Sequence, residues 1–278
     1  TNRTAIRHIG LGDANCVQVP SDDQGRMRTA DLAAALAAHD GPKIVIAQAG
    51  HINSGAFEDF AAISALARQH DAWLHVDGAF GLWARVTPEK AHLTRDLDKA
   101  DSWSVDGHKW MQLPYDSGFA IVRDADAHRR AMDITASYLN ADAADGRNPT
   151  HYGPELSRRA RGFAAWAVLQ ALGRSGVREM VEHHCRCAET IAAGVRNVPG
   201  LRVVNEVALN QIVIGTEDPS NGQLIAALAE RLNRDAGIFV RRAEWKGAEV
   251  LRLSVISPLT DAAAVARLTT AIAEGARP

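Results

Sequence analysis

Two short apolar runs, Trp73-Leu74-His75-Val76-Asp77 and Ser102-Trp103-Ser104-Val105-Asp106, constrain the fold more than any other part of this chain. Each stops abruptly at polar residues and glycine, Asp77-Gly78 in the first and Asp106-Gly107-His108-Lys109 in the second. Such β-branched and aromatic runs read as buried parallel strands, and their polar ends mark where a parallel sheet opens onto a ligand crevice. Asp77 and Lys109 are therefore expected at neighbouring carboxyl ends.

The preceding text supports a parallel sheet. Cys16-Val17-Gln18-Val19 reads as a short strand and Asp22-Asp23-Gln24-Gly25 as a turn. Thr29 caps a helix over 30–38, Lys43 to Gln48 is an apolar strand, and a helix over 58–70 leads to the Asp77 strand. Strand, helix, strand in that order argues for right-handed crossovers. Gly118 to Val122 follows too closely to cross over, so it is expected antiparallel.

One aspartate and one lysine so placed can form a structural ion pair, and on their own they read most simply that way. They also match the needs of pyridoxal phosphate. Its aldehyde takes a lysine amine as a Schiff base, and its pyridine nitrogen stays protonated beside a carboxylate. Lysine is scarce here, five residues against twenty-six arginines, which makes one at a strand end more informative.

His75-Val76-Asp77-Gly78-Ala79, Val105-Asp106-Gly107-His108-Lys109-Trp110 and Leu113-Pro114-Tyr115-Asp116-Ser117-Gly118 together resemble a known family. They are similar to the H-V-D-A-A, D-P-H-K-W and P-Y-D-C-G-like segments of the group II pyridoxal-phosphate decarboxylases, the aromatic amino-acid and glutamate decarboxylase superfamily. Gly78 stands in place of an alanine and Gly107 in place of a proline. The resemblance implies an α/β, fold-type I, PLP-dependent transferase-like fold. Its mostly parallel central sheet would be N-terminally incomplete, and a smaller C-terminal α+β domain would follow. Residues 1–163 would be the remainder of the large cofactor domain, and 164–278 the connecting helices and small domain.

The same resemblance implies roles. Lys109 would form the Schiff base, Asp77 would hold the pyridine nitrogen protonated, and His108 and Asp106 would seat the cofactor near its phosphate, with Ala79 beside them. Ala49 to Phe57 is similar to the family's A-G-x-x-N-T-G-A-F-D segment, which puts His51 at the cofactor or substrate. Tyr138, in a polar, glycine-bearing loop, would return the proton to the substrate carbon, with Tyr152 as a second candidate. Arg158 would hold loop or cofactor groups at the rim, and Arg252 the substrate carboxylate. The implied activity is decarboxylation of an L-amino acid to the amine and carbon dioxide by a homodimer. An aminotransferase or another lyase on the same fold, or an incomplete chain acting only as a folded partner, remain alternatives. The family's ring-stacking histidine and phosphate loop would lie upstream of Thr1, so these 278 residues alone are expected to bind cofactor weakly and not to turn over.

A net charge of −2 and a pI near 6.6 leave no electrostatic footprint for nucleic acid or an anionic membrane. No eighteen-residue apolar run and no leader pattern occur, so the expected location is the cytoplasm. Three cysteines do not suggest a disulfide framework. In His183-His184-Cys185-Arg186-Cys187 only His183 and Cys187 share a helical face, too few ligands for a zinc site. Helices from Ser157 to Leu172 and Val177 to Arg196 are expected, broken at Gly173 to Gly176. Strands Leu201 to Val204, Gln211 to Ile214 and Val250 to Ile256, a helix from Gly222 to Arg234 and a last helix from Asp261 complete the reading.

Overall fold

In the computed structural model, which describes residues 2–134, 148–234 and 238–276, α1 (Asn2–His8) and α2 (Thr29–Ala37) precede an alternation of strands and helices. These are β1 (Lys43–Gln48), α3 (Phe60–Gln69), β2 (Ala72–Asp77), β3 (Ser102–Asp106) and β4 (Gly118–Val122). The first sheet has the order β1-β2-β3-β4, with β1, β2 and β3 parallel and β4 antiparallel to β3. Register puts Gln48 beside Asp77 and Asp77 beside Ser104, so three strands open toward one edge.

Local chemistry accounts for these elements. The Asp59 carboxylate accepts from the Ala62 amide (3.0 Å) and starts α3. Phe60, Ile63, Ser64 and Ala67 then recur at helical spacing and are buried against Leu74 and Val76 of β2. The sheet's other support is α5 (Arg161–Val195), whose Val181 and Cys185 join the same core. Gly173, at φ 61°, interrupts α5 at the break expected from sequence.

After α4 (Ala125–Met132) and α5, the chain builds a second sheet of order β5-β6-β8-β7, entirely antiparallel. It comprises β5 (Leu201–Val203), β6 (Gln211–Thr216), β7 (Arg241–Trp245) and β8 (Ala248–Ser254), covered on one face by α6 (Gly222–Arg234), α7 (Ala262–Gly275) and the later half of α5. Among the described residues no helix is long and apolar enough to cross a membrane.

Three sequence expectations differ. Cys16 to Val19 forms no strand: the nearest pairing is a single bridge between Ser21 and Met27. Among the described residues no neighbouring strand edge pairs with that apolar alternation. The long helix begins at Arg161 rather than Ser157, because Arg158 is engaged outside the helix with the Glu155 and Pro149 carbonyls (3.1 and 2.8 Å). The strand β7 was not foreseen. It turns into β8 through Lys246 and Gly247, both at positive φ (53° and 80°), the conformation of a tight two-residue hairpin.

Candidate active site at the carboxyl edge of the first sheet

Asp77 is the last residue of β2, and both neighbouring chains hold it. Its carbonyl accepts from the Ala49 amide (2.8 Å), while the Gly78 amide donates to the Ser104 carbonyl (2.9 Å). Its carboxylate accepts from the Ala79 amide (3.2 Å) and from the Asn2 side chain (3.3 Å). Two residues back, the His75 ring lies between the Ser102 and Ser104 hydroxyls (2.8 and 3.3 Å). Burial lowers the His75 pKa, against the opposing pull of Asp77, which favours a neutral ring.

Lys109 sits on a compact turn after β3. The Gly107 and His108 amides both donate to the Ser117 carbonyl (3.0 and 3.3 Å), and the Leu113 amide donates to Gly107 (3.1 Å). Trp110 anchors the turn: it is fully buried and donates through Nε1 to His184 Nδ1 at 2.9 Å. His184 must then carry its proton on Nε2 and donate to the Ser257 carbonyl (2.9 Å), a neutral form that burial also favours by lowering its pKa. Against that fixed base the Lys109 side chain, one quarter exposed, reaches Asp106 (2.8 Å) and stands 4.7 Å from the centre of the Phe80 ring. Phe80 is buried and meets Trp110 edge to face. It follows Asp77 by three residues, so this one ring joins the aspartate strand end to the lysine turn.

His108 lies 3.8 Å from Asp106 and packs on the Tyr115 ring (4.5 Å between centres), leaving Tyr115 87% exposed. Beyond it, Asp116 receives Arg161 (3.0 Å) and Arg159 (3.7 Å). Arg161 holds the Asp116 carboxyl below its ordinary pKa. This tie between the lysine turn and the start of α5 was not apparent in the sequence, where the two stretches are far apart.

The other candidates make contacts of their own. The His51 ring accepts from the Asn53 amide (3.2 Å) and packs against Trp245 of β7 (5.3 Å), at the junction of the two sheets. Arg252 donates to the Ile52 carbonyl (3.0 Å); burial and Arg241 depress its pKa. Arg158 braces the 149–155 segment, and Tyr152 packs on His128. Tyr138 lies outside the described residues. No group of three or more potential metal ligands occurs among the described residues, and His183 is engaged by the Thr260 carbonyl (2.5 Å).

At both departures from the motif a side chain would meet a neighbouring leucine. A Cβ on Gly78 would collide with the Leu82 side chain, and one on Gly107 would come within 2.8 Å of Leu113. Gly81 is more constrained, since a Cβ there would overlap the Ala49 carbonyl and lie 2.6 Å from the Gly50 nitrogen. Gly81→Ala should therefore lower stability by about 1–3 kcal/mol, the range for overpacking, and thermal unfolding measures it. An unchanged melting temperature would show that the Ala49–Asp77 junction yields freely.

The donor set fits pyridoxal phosphate: a primary amine within reach of solvent, a carboxylate on the adjoining strand end, and an aromatic ring against the amine. A family model described as the pyridoxal-dependent decarboxylase conserved domain matches residues 3–215. An aromatic-L-amino-acid decarboxylase from Drosophila lebanonensis is 27% identical over 264 residues, covering 92% of this chain and 65% of that protein. Its counterpart from Bacillus atrophaeus is 26% identical over 229 residues, 79% of this chain and 48% of that one. The chain thus spans about half to two thirds of these relatives' length. Among solved structures, Oryza sativa TDC with PLP and tryptamine superposes with a TM-score of 0.91 at 24% identity, over 98% of this chain and 59% of that one. The strand-end aspartate, the lysine turn, the shared fold-type I architecture and the match over most of the sequence lead to one assignment: this chain belongs to the pyridoxal-dependent decarboxylase family.

Proposed function

We propose that the protein decarboxylates an L-amino acid, with Lys109 as the residue that attaches pyridoxal phosphate and Asp77 as the partner of its pyridine nitrogen. The observation that carries this reading is the Lys109 amine held at the carboxyl edge, 4.7 Å from the ring of Phe80, in the segment that Asp77 begins. When bound, the cofactor supplies an electron sink for the bond to the leaving carboxylate.

The remaining work falls to side chains. Asp77, anchored by the Ala79 amide, would hold the cofactor's pyridine nitrogen protonated by its charge. Asp106 holds the Lys109 ammonium in place before the cofactor arrives, and His108, backed by Tyr115, flanks the same space. Ala79 joins the cofactor-binding set through its amide's hold on Asp77. Arg252 meets the substrate carboxylate, and Arg158 and His51 steady the rim and the loop around it. Tyr138 delivers the proton that replaces carbon dioxide. Residues 1–163 form the cofactor-bearing part and 164–278 the connecting helices and small domain of a cytoplasmic homodimer.

Product analysis tests the reaction. Amine and carbon dioxide in equal amounts are expected, whereas a keto acid or an aldehyde as main product would move the protein to another reaction of this fold. Asp77→Asn should retain cofactor binding yet slow turnover roughly a hundredfold or more, because the amide cannot stabilise the ring proton. Unchanged turnover would remove Asp77 from the mechanism.

A further inference from the structure

The two sheets meet along a seam occupied by a small hairpin. Ser21 and Met27 pair across it, and the Asp22 carboxylate fixes its tip by accepting from the Gln24 amide, the Arg26 amide and Arg26 Nε (2.9, 2.9 and 2.8 Å). On the second-sheet side, Arg26 reaches Glu206 (3.2 Å), and the Glu206 amide donates to the Gln24 side chain (2.8 Å). Lys246 donates to Ser21 (3.2 Å). Gly25 lies so close under Trp245 that a Cβ would stand 2.9 Å from the indole. Toward the first sheet, Ser54 donates to the Gln24 carbonyl (2.5 Å), and Asn205 donates to the Ser54 carbonyl (2.8 Å). The hairpin therefore ties the second sheet to the Ala49–Phe57 loop, whose first amide binds the Asp77 carbonyl.

One contact fastens this hairpin from beneath. The Met27 amide donates to the Glu58 carboxylate at 2.7 Å. Glu58 directly precedes the residue that caps α3, and it is half-buried. We propose that Glu58 is a pH-operated latch: ionised, it holds the hairpin through the Met27 amide, and on protonation it relaxes the hairpin's grip on the second sheet. An ionised acceptor makes a hydrogen bond roughly twice as strong as a neutral one, so the latch has two strengths.

The charges around Glu58 set where it switches. Burial drives its pKa up to about 7. The Met27 and Gln48 backbone hydrogen bonds pull it back, Asp22 raises it and Arg26 lowers it. Arg28 and Asp59 stand nearby, lining with Asp22 and Arg26 a cleft of about 380 Å³ at the base of the hairpin. Glu206 faces the hairpin's far side through Arg26. Two other titrating groups at the seam are shifted in the opposite direction. Asp22 is held below the ordinary carboxylate value by its bonds to Arg26 and Gln24, against the opposing effect of burial. His51 is held below the ordinary imidazole value by burial and Lys246.

The sign separates a local latch from a global effect. Glu58 takes up its proton at higher pH when folded than its ordinary value of 4.5, so native protein binds more protons between those limits and global stability falls as pH rises through them. The Met27 contact, by contrast, should strengthen as the folded-state carboxyl ionises, at about pH 7.

Hydrogen exchange on the purified protein, corrected for intrinsic rates, tests this from about pH 5.5 to about pH 8.5. Protection of the Met27 amide should rise roughly five- to tenfold with a midpoint near neutrality, and Glu58→Gln should stay at the low-pH level throughout. Carbon-13 titration of the Glu58 carboxyl in the unmodified protein should give the same midpoint, independently of how the variant folds. Flat Met27 protection, the same rise in Glu58→Gln, or a Glu58 carboxyl that titrates in the ordinary acid range would each overturn the proposal.

Discussion

In the complete protein, replacing Lys109 with alanine is expected to reduce turnover by roughly four orders of magnitude or more, because no other lysine of these residues is placed to attach the cofactor. The other four lysines are engaged elsewhere: Lys90 with Glu189, Lys99 with Asp96, Lys43 with the His70 carbonyl and Lys246 with Ser21. The loss should be specific to chemistry. Asp106 is one third exposed and can be solvated once its partner is gone, so stability should change by less than about 1 kcal/mol. The Trp110 anchor and the Ser117 hydrogen bonds that shape the turn do not involve the lysine side chain. Steady-state kinetics beside denaturant unfolding measure both quantities. A well-folded Lys109→Ala protein with more than about a tenth of normal turnover would contradict the assignment.

Trp110→Ala should have the largest effect on stability, about 3–5 kcal/mol, as for large aromatic truncations in a packed core. That is a large share of the ~5–15 kcal/mol by which domains are typically stable. Three losses combine. The indole is fully buried, it supports the Phe80 ring, and its N–H satisfies a buried histidine nitrogen. Trp110→Phe separates these contributions, since it retains most of the volume but leaves His184 Nδ1 without its donor, at a cost of about 1–3 kcal/mol. Urea unfolding should rank wild type above Trp110→Phe above Trp110→Ala. Equal midpoints for the two variants would show that the hydrogen bond to His184 contributes nothing.

The parts legible in sequence were those governed by neighbours along the chain. β1, β2 and β3 announce themselves as short apolar runs that polar residues and glycine end, although burial alternates along β1 and β2 and Ile44 and Trp73 stay exposed, so these strands are buried on one face and not on both. The antiparallel β4 followed from a connection too short for a crossover. Cys16 to Val19 had the composition of a strand, but a strand exists only with a partner edge, and that segment has none among the described residues. The hairpin of β7 and β8 escaped notice because Lys246 occupies a left-handed position usually taken by asparagine, aspartate or glycine.

Contacts between distant stretches were beyond the reach of local pattern. The motifs and the family resemblance singled out Asp77, Asp106, His108 and Lys109. They carried no sign that His184 fixes Trp110, that Arg161 ties Asp116 to the long helix, or that Glu58 holds a hairpin against the second sheet. His51 and Arg252 show the same limit: they line the seam between the sheets, and their partners, Trp245 and the Ile52 carbonyl, come from opposite ends of the chain.

The central claim is that Lys109 is the residue that takes pyridoxal phosphate. Borohydride reduction of the cofactor-loaded protein, followed by proteolysis and mass mapping, reads that directly, because reduction makes the bond to the lysine permanent. The pyridoxyl mass should appear on the peptide carrying Lys109 and on no other. The same mass on Lys43, Lys90, Lys99 or Lys246 in its place would contradict the account.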